Sequence, residues 1–348
     1  MPLKNNSKKI HAVDLFCGIG GLTKGLDLSG ISVKAGFDID QSCQYAYEAN
    51  NPQSKFFTTD IRDIQFSDIA PHYKDANIVV MAGCAPCQPF SAHNQNRKTQ
   101  NFRTDDCSLV GEFARLIREG LPDLVTMENV PGLAKHEAFD EFLVMLNDLG
   151  YELDYDVLSC ADYGVPQNRK RLVLLASRLG EISLPCPMGD KKTVADFIQH
   201  LPAIKAGEAC PDDPAHISMA LSEKNKLRIS QSKPGGTWQD WDEDIINDCH
   251  RKAYYSSSYG RMRWDAPGPT ITTQFCYYST GRFGHPEQDR AISVREAALL
   301  QTFPPDYKFA EFGHPVIITK TARYIGNAVP VKLAEAIGKS LIEAANVQ

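Results

Sequence analysis

The run IHAVDLFCGIGGLTKGLDLS, residues 10–29, constrains the chain more than any other stretch. IHAVDLF is apolar enough for a buried strand, CGIGG follows at once, and a short helix is expected from about Leu22 to Ser29. Strand, glycine turn and helix in that order open a nucleotide-type α/β fold, where glycine backbone can approach a ligand at the helix N-terminus. Gly18, Gly20 and Gly21 stand closer together than the glycines of a G-x-G-x-x-G dinucleotide turn. A tight turn holding no ligand is therefore the alternative at this point.

The alternation continues. A second strand, about 32–37, ends in Asp38 and Asp40, and a short apolar segment ends at Asp60 in TTDIRD. An acid at the tip of the second strand is where such folds bind a ribose diol, although each acid alone also reads as a loop cap. NIVVMA (77–82) is a further buried strand, stopped by Gly83 and followed by GCAPCQPFS (83–91). Cys87 is thus delivered on a sharply turned loop at the C-terminal end of a strand, where open α/β sheets place their ligands. Pro86 fixes its own φ and pushes Ala85 toward extended backbone.

The next stretch, SAHNQNRKTQNFRTDD, carries Arg97, Lys98 and Arg103 with no acid before Asp105. It reads as a basic loop able to close over a phosphate backbone, or as an ordinary solvated loop. A helix is expected from Leu109, with Val110, Phe113, Leu116 and Ile117 on its apolar stripe. DLVTMENV (123–130) then sets Glu128 and Asn129 at a strand end facing the same sheet edge as Cys87. A helix stripe from Phe139 to Leu149 and strands over 151–157 and 171–177 follow. QNRKR (167–171), between those strands, also reads as a solvated hairpin turn.

The character changes after about residue 185, where Pro, Gly and polar residues become dense. Segment 251–290 holds six basic residues against three acids, interleaved with Trp264, Phe275, Tyr277 and Tyr278. Arginine with aromatics suits base and phosphate contact, while core packing is the competing use of those rings. Regular structure resumes at Ser293, which forms a capping box with Glu296, and a terminal helix is expected from about Pro330.

A chain of 348 residues can bury a substantial core and commonly makes two domains. Its ten cysteines form no compact framework and read as free thiols. A net charge of −6 neither advertises nor excludes nucleic acid, since a basic groove can sit on an acidic body. No apolar run approaches the roughly 20 residues of a membrane span, and no apolar stretch follows the basic N-terminus as a secretory signal would. The expected location is the cytoplasm, in a bacterial setting, without membrane attachment.

Read in order, DLFCGIGG, Asp38, Asp60, PCQPFS, ENV, QNRKR, REAALLQTFP and GNAVP resemble the ordered motifs of the DNA (cytosine-5)-methyltransferases. The likeness covers about 10–178 and 291–342. It implies a Rossmann-like α/β domain with a mostly parallel sheet, assembled from 1–185 and 291–348, and a smaller loop- and strand-rich target-recognition domain at 186–290 that chooses the DNA sequence. It implies S-adenosyl-L-methionine as cofactor, leaving S-adenosyl-L-homocysteine, and double-stranded DNA as partner. A cognate restriction endonuclease would accompany the enzyme without contacting it, and the chain is read as a monomer.

By the same resemblance Cys87 is the nucleophile that adds to cytosine C6, Glu128 holds N3, Arg171 grips O2 with Arg169 in support, and Asn129 orients the site. Phe16, Gly18, Gly20, Asp38, Ile39, Asp60, Ile61, Pro86, Leu109, Asn327 and Ala328 would surround the cofactor. Ser91, Arg97, Lys98, Arg103, Thr270 and Arg282 would face DNA, Thr270 with Ile271 matching a Thr-aliphatic motif of the recognition domain. Many members place an arginine three residues before the leucine of the following helix; here that place is Asp106, which leaves Arg97, Lys98 and Arg103 to replace its phosphate contact.

Three rival readings compete with this one. Some members methylate a tRNA cytosine, but they carry a Cys-Phe-Thr tripeptide that this chain lacks. A nicotinamide oxidoreductase would leave PCQ and ENV unexplained. A zinc or redox module on Cys84-x-x-Cys87 would need two more ligands at short spacing.

Overall fold

A computed structural model describes residues 8–86, 105–246 and 258–346, with the side chains of 105–108 excepted. The chain divides into two compact units: residues 1–159, 170–187 and 331–348, and residues 160–169 and 188–330.

The first unit is built on a seven-stranded sheet. Its strands are β1 (Ile10–Leu15), β2 (Ser32–Asp38), β3 (Lys55–Thr58), β4 (Ile78–Gly83), β5 (Leu124–Asn129), β6 (Glu152–Ser159) and β8 (Lys170–Ser177), in the order β3-β2-β1-β4-β5-β8-β6. β3, β2, β1, β4 and β5 pair in parallel, and β8 runs antiparallel to both its neighbours. β4 and β5 are buried almost throughout, since both faces of the sheet are covered, as parallel strands require. The helices are α1 (Gly21–Ser29), α2 (Gln44–Asn50), α3 (Phe66–Ile69), α4 (Asp105–Gly120) and α5 (Glu137–Asp148). Phe113 of α4 stacks on Phe142 of α5, their centroids 5.8 Å apart, inside a core with Met81, Val125 and Leu174. The strand order reverses direction at β1 and β4, so the crevice for ligands lies beyond the C-terminal ends of those two strands.

In the second unit β7 (Gln167–Asn168) pairs with β11 (Gly268–Pro269), and β9 (Ala209–Cys210) with β10 (Asp213–Ile217). Its helices are α6 (Val194–Ile198), α7 (Glu223–Gln231), α8 (Val294–Leu300) and α9 (Ile318–Asn327). With so little regular structure, buried ion pairs tie it together. Arg290 forks onto both oxygens of Glu296 at 2.6 and 2.7 Å, and both side chains are fully buried. Burial alone would raise the Glu296 carboxyl, but the Arg290 fork holds it below its ordinary value. Arg261 donates to the carbonyls of Ser232, His285, Gln288 and Ile229 and to Asp289. Arg228 lies between the Trp241 and Tyr259 rings, 5.1 and 5.2 Å from their centroids.

The compact division differs from the boundaries expected from composition. Residues 160–169 and 291–330 group with the second unit, because Arg290 fastens α8 to the segment before it and Arg295 of α8 forks onto Asp213 at 2.6 and 3.0 Å. The first unit is closed by α10 (Val331–Asn346), which packs on α1. The approach is close enough that a Cβ on Gly25 would stand 2.3 Å from Ala334 Cβ and 2.5 Å from the Val331 carbonyl oxygen. No helix among the described residues is long and apolar enough to cross a membrane.

Candidate active site

β4 and β5 run parallel with Gly83 opposite Met127. The residues that follow, Cys84 and Glu128, are therefore abreast at the same sheet edge. Cys84 Sγ donates to Glu128 Oε2 at 3.3 Å. One residue on, Asn129 Nδ2 donates to the Ala85 carbonyl at 3.0 Å while its Oδ1 accepts from the Val130 N–H at 2.8 Å. The stem of the PCQ loop is thus held to the ENV segment at two successive positions. Pro86, exposed, is the last residue described there; Cys87, Ser91, Arg97, Lys98 and Arg103 lie outside the described residues.

Glu128 is 94 % buried (6 % exposed), and its Oε1 lies 2.9 Å from Arg171 Nε. That oxygen receives no well-directed hydrogen bond from any described residue, so part of its acceptor capacity is open. Arg171 anchors itself through Nη1 to the Lys170 carbonyl at 2.7 Å. Burial, reinforced by the Glu128 charge, pushes the Cys84 thiol well above its ordinary range. Cys84 is a proton-bearing donor at neutral pH and a poor nucleophile.

At the other side of the crevice Phe16 (φ 62°), Gly18 (φ 50°) and Gly20 (φ 86°) all take left-handed backbone. Gly18 donates its N–H to Asp38 Oδ2 at 2.8 Å, and Asp40 donates to Asp38 Oδ1 at 2.8 Å. Asp38 therefore ties the tip of β2 to the glycine turn, and burial raises its carboxyl despite those two donors. A Cβ on Gly18 would meet no described residue within 4 Å. Ile39 is 66 % exposed beside it, an unusual position for a large apolar side chain, whereas Ile61 is packed into the core and Leu109 is half-buried against it. Asp60 is engaged by Arg62, whose Nε and Nη2 reach Oδ1 and Oδ2 at 2.9 and 2.6 Å.

Behind the turn, Asp14 is fully buried on β1, its Oδ2 accepting from the Thr23 hydroxyl at 2.6 Å and the Thr23 N–H at 3.1 Å. Burial raises its carboxyl to about 7.

The second unit gathers a different set of motif residues. Arg169 is fully buried and donates to the carbonyls of Ile271, Gly326 and Ala328 at 2.9, 3.2 and 3.3 Å. Gln167 accepts from the Ile271 N–H at 2.9 Å and donates to the Leu300 carbonyl and to Gln301 Oε1. Gln301 in turn donates to the Ile325 and Ala328 carbonyls at 2.8 and 3.0 Å. QNRKR is therefore not a solvated turn; its Gln and first Arg knit the TIT and GNAVP segments together. Gly326 is required there, since a Cβ would come within 2.4 Å of the Thr272–Thr273 backbone. Thr270 Oγ1 donates to the Asn168 carbonyl at 2.9 Å, Asn327 is exposed at the end of α9, and Arg282 is exposed.

Two residues of these networks have no role in the site as read from the sequence: Cys84 stands there only as a zinc or redox rival, and Gln301 only as a letter of REAALLQTFP. The partner of Cys84 is set by strand register, whereas Gln301 stands out as a lone polar residue at the end of an apolar helix. The basic–aromatic mixture of 251–290 divides as well: Arg261, Phe275 and Tyr278 are buried, as is Arg290, and Arg263 pairs with Asp265. The core-packing use wins for those side chains, while Tyr277 and Arg282 stay at the surface.

Sheet order, glycine turn and a buried Glu–Arg pair at the switch point define a Rossmann-like α/β enzyme. The C-5 cytosine-specific DNA methylase family matches residues 10–343. The chain is 46 % identical over 338 residues to Type II methylase M.HgiDII of Herpetosiphon aurantiacus, covering 94 % of each protein. It is 33 % identical over 354 residues to Type II methyltransferase M.Eco47II of Escherichia coli, covering 97 % of this chain and 80 % of that one. A crystal structure of a candidate DNA modification methyltransferase encoded within an E. coli prophage superposes with a TM-score of 0.75 at 23 % identity, over 97 % of this chain and 99 % of that one. The chain belongs to the C-5 cytosine-specific DNA methylase family, and its enzyme class is DNA (cytosine-5)-methyltransferase.

Proposed function

We propose that this enzyme transfers a methyl group from S-adenosylmethionine to C5 of a flipped-out cytosine in a specific duplex sequence, as a type II modification enzyme, through a covalent Cys87–C6 adduct. The observation that carries the reading is the Glu128–Arg171 pair beside the anchored stem of the PCQ loop. A buried carboxyl next to a guanidinium matches the N3/N4 and O2 edge of cytosine when its proton is given to N3 and its other oxygen accepts from the N4 amino group. The turn at Gly18, with Asp38 and exposed Ile39 beside it, suits a nucleoside with an amino-acid tail.

S-adenosylmethionine supplies an electrophilic methyl as a sulfonium. The protein's part is to make cytosine nucleophilic at C5. The Cys87 thiolate adds to C6, and the electron pair displaced into the ring is held at N3 by the proton of the Glu128 carboxyl and at O2 by Arg171. Once C5 is methylated it loses its proton to a base, and Cys87 leaves by β-elimination. Because C6 is inaccessible in a duplex, the base must leave the stack. Duplex DNA is read as the substrate over tRNA because the matching family is one of DNA methylases. The second unit is read as choosing the site, so grafting another member's 186–290 insert moves methylation to that member's sequence.

The test uses 5-fluorocytosine at the target position. Fluorine occupies the place of the proton that must leave, so elimination stops and protein and DNA stay joined through a denaturing gel, only when S-adenosylmethionine is present. Cys87→Ser abolishes the cross-link, since a serine hydroxyl is scarcely ionised where an unperturbed thiol of pKa about 8.5 is a few per cent thiolate. Cys84→Ser leaves it largely intact. The reverse pattern overturns the nucleophile assignment.

A further inference from the structure

We infer that Cys84 is a positioning residue for the reaction, its thiol proton fastening Glu128 Oε2 so that Oε1 is held on Arg171. The inference rests on the reading of Glu128 above and adds a residue that reading does not use. Three observations carry it. Parallel register sets Cys84 and Glu128 side by side with Gly83 opposite Met127. Sγ donates to Oε2 at 3.3 Å, so one carboxylate oxygen is occupied from within the sheet edge. The other oxygen, Oε1, is buried and lies 2.9 Å from Arg171 Nε. A carboxylate free to rotate about its last torsion would offer Arg171 either oxygen; one fastened at Oε2 keeps Oε1 on the guanidinium. A cysteine suits the position because its weak, bulky S–H satisfies Oε2 without forming the strong bond that would compete with Arg171 or with the base.

The groups facing this carboxylate are Cys84 from the end of β4, Arg171 from β8 and, beyond Cys84, the buried Asp14 of β1. Removing the thiol proton takes the donor from Oε2 and leaves Arg171 alone to set the orientation of the carboxyl.

The experiment measures methyl transfer to unmodified plasmid DNA for Cys84→Ala, Cys84→Ser and Glu128→Gln, with S-adenosylmethionine affinity as the folding control. Cys84→Ala is expected to lower kcat about five- to tenfold, the size of one lost hydrogen bond, with KM for DNA unchanged. Cys84→Ser, which keeps a donor, restores kcat. If Cys84→Ala fails to bind S-adenosylmethionine, Cys84→Val, which fills the space without a donor, takes its place. A Cys84→Ala enzyme with unchanged kcat beside a crippled Glu128→Gln overturns the inference alone, as does a Cys84→Ser enzyme no better than Cys84→Ala. A Glu128→Gln enzyme with normal turnover overturns the function reading itself.

Discussion

Arg171 Nε lies 2.9 Å from Glu128 Oε1, and the two reach each other from antiparallel strands whose register pairs Glu128 with Val173 and Asn129 with Leu172. Both side chains are mostly buried, so the pair is an interior one, and neither charge is well solvated without the other. In a sheet that is otherwise parallel on this side, the reversed strand β8 is what delivers a cation to the edge where β5 ends.

Arg171→Ala should therefore cost both activity and stability. Breaking a buried ion pair from one side leaves an uncompensated carboxylate, worth about 3 kcal/mol of unfolding free energy. Urea unfolding monitored by fluorescence measures that loss, and methyl-transfer assays should show turnover falling with it. Arg171→Met at unchanged stability would show that the pair contributes no net energy to the fold.

Asp60 presents a different case, since Arg62 already holds both of its oxygens from the surface. The hydrogen bonds from Arg62 keep the carboxyl below its ordinary value. Each carboxylate oxygen has two lone pairs, so an adenine amino group can share one with Arg62. Asp60→Ala should weaken S-adenosylmethionine binding by about 1 to 3 kcal/mol, the cost of an unmade polar contact. Arg62→Ala should change it by less, because an exposed pair is worth at most about 1 kcal/mol. Calorimetry that finds unchanged affinity in Asp60→Ala would remove Asp60 from the cofactor site.

Asp14 should give the stability of the first unit a distinctive pH dependence. Its carboxyl is raised from 3.8 to about 7, chiefly by burial. Between those values the folded state keeps a proton that the unfolded chain has released. Stability is thus highest below about pH 4 as far as this group is concerned, falls as pH rises, and levels off above about 7. The full swing for a shift of that size is roughly 4 kcal/mol. Asp14→Asn, which cannot ionise, should remove it, so denaturant midpoints at pH 5 and pH 8 should converge in the variant. Parallel pH profiles for the two proteins would show that Asp14 is ionised throughout.

The motif residues were legible, but their partners were not. Glu128 could be placed at a strand end from DLVTMENV alone, because a buried strand followed by polar residues marks its own C-terminus. That Glu128 meets Cys84 on one side and Arg171 on the other follows from the offset of β4 against β5 and from the insertion of β8 beside β5. Neither register is written in local pattern. The same holds for QNRKR: five polar residues in a row look solvated in one dimension, yet Gln167 and Arg169 are fully buried around the carbonyls of Ile271, Gly326 and Ala328.

What the amino-acid sequence determined by itself is the opening strand and glycine turn, the strands that end at Asp38, Gly83 and Asn129, and the family. All of these depend on residue spacing within about ten positions, where hydrophobic period and turn chemistry act directly. Tertiary structure decided which polar side chains are open and which are occupied. Arg261 and Arg290 look like candidates for base and phosphate contact in the sequence and Arg169 like part of a solvated turn, yet each is buried on carbonyls or a carboxylate. A guanidinium has five donors and takes whatever acceptors folding brings to it, so its role is settled only when distant segments meet.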